Sequence, residues 1–107
     1  MPGVTDDERG RRIFQIHKER AVETALAKIR QNLGSDAFSP KDIQTLNYIL
    51  GEAWVSLERS VWEQSAFTRL TRTDLEDIIR IGNDAKSKRM REETAIDEIG
   101  RILKGSI

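Results

Sequence analysis

No cysteine occurs in this chain, which removes a disulfide framework, a thiolate nucleophile and any cysteine-based zinc site. Histidine is nearly as scarce, His17 standing alone in Gln15-Ile16-His17-Lys18-Glu19-Arg20, so a zinc site would need one imidazole plus carboxylates, an uncommon set. A di-iron bundle needs Glu-x-x-His pairs, and the residue three before His17 is Phe14. His17 therefore reads as an exposed helix histidine. The 7 glycines are scattered singly, whereas a phosphate-cradling loop needs them close together so that backbone amides can approach the anion. No serine sits in a Gly-x-Ser-x-Gly elbow. Neighbouring carboxylates such as Asp6-Asp7, Glu92-Glu93 and Asp97-Glu98 fit solvated helix faces better than an acid–base pair. These absences lead to the expectation of a non-enzyme without a cofactor or a resident metal.

An excess of charge of one sign is also missing. The 18 basic and 18 acidic side chains cancel, so the surface as a whole is not built to hold nucleic acid or anionic lipid. No stretch approaches the roughly 18 apolar residues of a membrane span, and Met1-Pro2-Gly3 leads into Asp6-Asp7-Glu8 without the apolar core of a signal peptide. A cytoplasmic protein without membrane contact is the default expectation.

What the chain does contain is charge and helical periodicity. Hydrophobic residues make up 37% of it against a usual share of about 45–50%, and charged residues 34% against about 25%, so its 107 residues should form one helical domain with a thin core. Residues 1–5 and 105–107 are expected to fray. Three stretches read as helix starts at an even spacing of 34 residues: Thr5-Asp6-Asp7-Glu8, Ser39-Pro40-Lys41-Asp42 and Thr73-Asp74-Leu75-Glu76. The spacing does not mark a repeat, because Ile13 corresponds to Asn47, and Ala25 to Arg59 and then Glu93. It predicts an all-α bundle of three long antiparallel helices, the third either continuous or broken near Gly82 into two.

The first helix should run from about Asp6 to Leu33 and stop at Gly34, with Phe14, Ala21, Val22, Ala25, Leu26, Ile29 and Leu33 on its buried face. Pro40 at a first helical position marks the start of the second, expected to reach about Phe67 and to bury Ile43, Leu46, Ile49, Leu50, Ala53, Trp54, Leu57 and Val61. Gly51 inside it suggests a close helix–helix approach. The third begins with Leu75, Ile78, Ile79 and Ile81, meets Gly82-Asn83, and restarts at about Thr94 with Ala95, Ile96, Ile99, Ile102 and Leu103.

Two surfaces stand out as functional candidates. Tyr48, Val55 and Trp62 recur every seven residues opposite the buried face of the second helix, with Ala66 one turn on. They mark either the second side of a central helix or a partner interface, and aromatic residues are enriched at interface hot spots. The leading expectation is thus a protein-interaction module that pairs as a homodimer or binds a protein partner. The alternative is nucleic-acid binding by Arg80, Lys86, Lys88, Arg89 and Arg91, which face only Asp84 as a local acid and could neutralise backbone phosphates. A helix-turn-helix does not fit that segment, since Asp77, Asn83 and Lys88 occupy positions that should be apolar when Gly82 is the turn glycine.

Phe38-Ser39 before a long helix and Glu76-Asp77-Ile78 in a short one give the stretch from about Ala21 to Asn83 a pattern that resembles a histone fold of the centromere and DNA-repair kind. The pattern departs at the loop arginine that would pair with Asp77, where Leu70 stands with Arg69 beside it. The resemblance implies a handshake dimer that binds DNA.

Overall fold

The computed structural model describes residues 6–34, 36–65 and 67–105, and of Asp6 and Asp7 the backbone alone. Within them the chain is all-α: α1 (Asp6–Leu33), α2 (Pro40–Ser56), α3 (Arg59–Gln64), a 3-10 turn (Phe67–Arg69), α4 (Arg72–Lys86) and α5 (Glu92–Gly105). These are five helices, not three matched ones. Thr5 and residues 1–5 and 106–107 of the expected ends lie outside the described residues, and Gly105 is still helical as the last residue of α5.

Local chemistry sets the ends that sequence could see. Gly34 closes α1 at φ 96°, a left-handed conformation that costs glycine little, and its amide donates to the Arg30 carbonyl at 2.7 Å. Ser39 caps α2 reciprocally: the Asp42 amide donates to Ser39 Oγ (3.2 Å) and the Ser39 amide to Asp42 Oδ2 (3.3 Å), with Pro40 at the first helical position.

α4 starts two residues before the expected Thr73. Thr71 is its cap, accepting from the Asp74 amide at 3.1 Å and donating its own amide to Asp74 Oδ2 at 3.0 Å. Thr71 and Thr73 both have an acid three residues on, so both fit the template. Burial decides: with Thr71 as cap, Leu70 and Leu75 take the two positions of a hydrophobic staple, and both are buried. A side-chain amide reinforces the junction, Asn32 Nδ2 donating to the Leu70 carbonyl at 3.1 Å.

The second expected helix breaks at Leu57–Glu58, where the backbone turns extended although neither glycine nor proline is present. Leu57 packs against the core and against Gly100 of α5, and the turn lets Trp62 meet Phe67 with ring centroids 5.0 Å apart. The third breaks as well, but not at Gly82-Asn83. Gly82 is buried within α4 where that helix crosses α2, and a Cβ there would lie 2.8 Å from Thr45 Cγ2. α4 continues to Lys86 and ends in a Schellman turn, with Arg89 donating to the Asp84 carbonyl (2.9 Å), Lys88 to the Ala85 carbonyl (3.2 Å), and Lys88 left-handed at φ 62°. α5 then begins at Glu92, ahead of the expected Thr94.

Buried side chains of α1, α2, the 3-10 turn, α4 and α5 form one cluster, with Ile29, Leu46, Ile49, Leu50, Leu75, Ile78, Ile99 and Leu103 at its centre. α2 is the central element, touching α1 on one side and α4 and α5 on the other. The long central helix that a histone fold requires is not formed, and Asp77 pairs with Arg80 of its own helix at 3.8 Å.

Candidate interaction surfaces

α1 and α2 run antiparallel, since Phe14 meets Trp54 at one end of their contact and Val22 lies near Gly51 further in. At about 1.5 Å per residue the 28 residues of α1 span about 42 Å, and the 17 of α2 about 26 Å. The N-terminal turns of α1 therefore extend past the end of α2. Near that end three large apolar side chains stay exposed: Ile13 is 55% exposed, Phe14 47% and Ile16 46%. Phe14, expected on the buried face, rests with a tilted ring against Trp54, centroids 5.1 Å apart, while the Arg59 guanidinium covers Trp54 at 5.0 Å. His17 lines the shallow depression between them. The burial expected for Val22, Ala25, Leu26 and Ile29 is found.

The expected interface residues do not form one stripe. Tyr48 and Val55 share the outer ridge of α2, Val55 being 46% exposed, but the break at Leu57 moves Trp62 to α3, where it is half-buried against Phe67 beside a depression it shares with Ala21 and Thr24 of α1. Ala66 lies outside the described residues. The basic set also divides. Arg80 is held by Asp77 (3.8 Å) and Asp84 (4.0 Å), whereas Lys86, Lys88, Arg89 and Arg91 make no ion pair among the described residues. Lys86, Lys88 and Arg91 line a groove together with Met90 and Tyr48. The two candidate sets thus meet at Tyr48, which no sequence spacing indicated, because Tyr48 and Arg91 are joined only by the packing of α2 against α4 and α5.

Beside that groove lies a carboxylate pair from different helices, Glu52 on α2 and Glu92 at the start of α5. Hydrogen bonding to Glu52 raises the Glu92 carboxyl above its ordinary value, the Glu52 charge and burial add to the rise, and Lys18 opposes it. Tyr48 is raised as well, first by burial and then by the charges of Glu92 and Glu52. Lys18 Nζ stands 3.8 Å from Glu52 Oε1, and its stem passes over Gly51, where a Cβ would lie 2.9 Å from Lys18 Cε. The close approach expected at Gly51 is therefore one of a side chain from α1.

Among the described residues, no three His, Asp or Glu side chains gather to hold a metal ion, and no helix is long and apolar enough to cross a membrane. No protein-family model matches the chain, and no curated protein or solved structure is found similar to it.

Proposed function

We propose that this chain is a non-enzymatic helical protein-interaction module that associates with a second copy of itself. The observation that carries the reading is the exposure of Ile13, Phe14 and Ile16 together near the N-terminal end of the α1–α2 contact. Large apolar side chains grouped on an accessible helix mark an interaction site more often than a solvated end. Their exposure favours a contact through α1 over one through Tyr48, Val55 and Trp62. Sedimentation equilibrium from tens to hundreds of micromolar should return a mass that rises from the 12.2 kDa of one chain toward twice that value. Ile13→Ser combined with Ile16→Ser should shift the mass toward the monomer without loss of helicity, because both side chains are exposed. Trp62→Ala should lower stability more than it lowers association. A wild-type mass of one chain overturns the reading.

A second reading, binding to a nucleic-acid backbone, draws on the groove in which Tyr48 lies beside Lys86, Lys88 and Arg91, which make no ion pair among the described residues. It calls for retention on DNA that falls steeply with salt. Neutral replacements of the three cations should reduce the salt slope by about one unit for each phosphate no longer neutralised. Absence of retention at low salt ends this reading.

A further inference from the structure

Resting on the self-association reading, we infer that the two copies pair antiparallel through the outer stripe of α1 made by Arg9, Arg12, Ile16, Glu19 and Glu23, centred near Ile16. With about 100° between successive residues these five fall within a band about 80° wide, turned away from the buried Val22, Ala25 and Ile29 and bordered on its Glu19 side by the buried Leu26. Their spacing of three and four residues keeps them in line along the helix, and all five are exposed.

The order of charge along the stripe selects the orientation. Two arginines precede Ile16 and two glutamates follow it, so the stripe is self-complementary under reversal. In an antiparallel pair, Arg9 faces Glu23 of the second copy, Arg12 faces Glu19, and Ile16 meets Ile16; the two-fold axis repeats each charge pair. Parallel pairing would instead set arginine on arginine and glutamate on glutamate.

Within the stripe of a single helix the same order is unfavourable, although Glu8 four residues before Arg12 and Arg20 three before Glu23 offset part of it. Arg9 and Arg12 are three residues apart, Glu19 and Glu23 four apart, and like charges at those spacings repel. A helix meant only for water gains more from opposite charges there. None of these four side chains makes an ion pair among the described residues, although Gln15 Nε2 donates to Glu19 Oε1 at 3.1 Å. The second copy supplies the missing partners for both ends of the stripe at once. Ile13 flanks Ile16 one turn away and extends the apolar centre, while Arg20 lies just outside the band.

The footprint is small for a stable protein–protein contact, so the pair should be weak and sensitive to ionic strength. The test uses two full-length variants, Arg9→Glu with Arg12→Glu and Glu19→Arg with Glu23→Arg. Circular dichroism checks that both remain helical. Each variant alone places like charges along the entire stripe, and its dissociation constant should rise at least tenfold over wild type. An equimolar mixture places all-acidic against all-basic stripes and should form a heterodimer at least as tight as the wild-type pair. Raising salt should weaken the mixture and narrow the difference between the single variants and wild type. If the wild type dimerises and the separate variants dimerise equally well, the pairing is wrong while self-association stands. The pairing also falls if the mixture stays monomeric. A monomeric wild type overturns both.

Discussion

The two faces of α2 are packed in different ways. Toward α4 the contact is close: Gly82 sits against Thr45 and Ile49, and the buried Thr45 hydroxyl donates to Asn83 Oδ1 at 3.0 Å, with the Lys41 carbonyl as a second acceptor at 3.2 Å. Toward the N-terminal half of α1 the contact is made by the ends of flexible side chains. Lys18 bridges Gly51 to reach Glu52, and Phe14 leans half-exposed on Trp54. One seam is fixed by shape and the other is adjustable, so a segment of α1 is left available for a contact outside the chain. Interiors packed at crystal-like density respond sharply to a single added or removed methyl group, and partly solvated seams do not.

Matched substitutions can break or sharpen this comparison. The largest expected difference is between two phenylalanines that touch a tryptophan at nearly the same distance. Phe67→Ala removes a ring that is 4% exposed and should cost about 3–5 kcal/mol in urea denaturation. Phe14→Ala, with 47% of the residue exposed, should cost about 1 kcal/mol, mostly the ring contact itself. Equal losses would show that α1 is anchored as firmly as the interior.

A glycine pair comes next. Gly82→Ala drives a Cβ to within 2.8 Å of Thr45 Cγ2 and 3.2 Å of the Ile49 Cβ, atoms that cannot move aside freely, and should destabilise by about 1–3 kcal/mol despite the better helix propensity. Gly51→Ala meets the stem of Lys18, at 2.9 Å from Cε, and otherwise only Val22 Cγ2 at an ordinary 4.0 Å. Displacing that stem gives up an ion pair of modest worth, while alanine gains about 1 kcal/mol of propensity, so the net change should be a slight stabilisation. A large loss at Gly51 would mean that the α1 seam is rigid after all.

Thr45→Val keeps the shape at the tight seam and removes the hydroxyl, leaving Asn83 without its partner; about 1 kcal/mol should be lost, and a double-mutant cycle with Asn83→Ala should show coupling. The smallest effect belongs to the outer polar cluster. The native state raises the Glu92 pKa, so it binds more protons than the unfolded chain over the window between the two values, and this group's contribution to stability falls as pH rises through that window. Glu92→Gln should remove that slope and stabilise by a few tenths of a kcal/mol at pH 7, read from melts at pH 4 to 7. No change in slope would show that Glu52 and Glu92 do not interact in solution.

Several boundaries were legible because they depend on neighbours in sequence. Ser39, Pro40 and Asp42 contain both halves of their cap, and Gly34 supplies the left-handed residue that ends α1. The break at Leu57 was not legible, since no local breaker is present and the turn is favoured by what Leu57 and Trp62 reach elsewhere. Gly82 was ambiguous for the same reason: a glycine in an apolar helix can end it or admit a neighbour, and α2 determines which. The left-handed residue after α4 is Lys88, which no local pattern singles out. The basic stretch was visible as a run, but only folding paired Arg80 with its acids and brought Tyr48 beside the remaining cations.

By itself the sequence determined the class of the protein, the placement of α1 and the start of α2, and the order of charges on the outer stripe of α1. These follow from periodicity and from hydrogen bonds between residues three or four apart, which every copy of the sequence carries whatever its surroundings. Only the tertiary structure decided where the long segments break, which glycines are contact points, and that Ile13, Phe14 and Ile16 remain uncovered. Those outcomes depend on which residues other helices bring alongside: Leu57 reaches Gly100, Gly82 lies against Thr45 and Ile49, and no described element buries Ile13, Phe14 or Ile16.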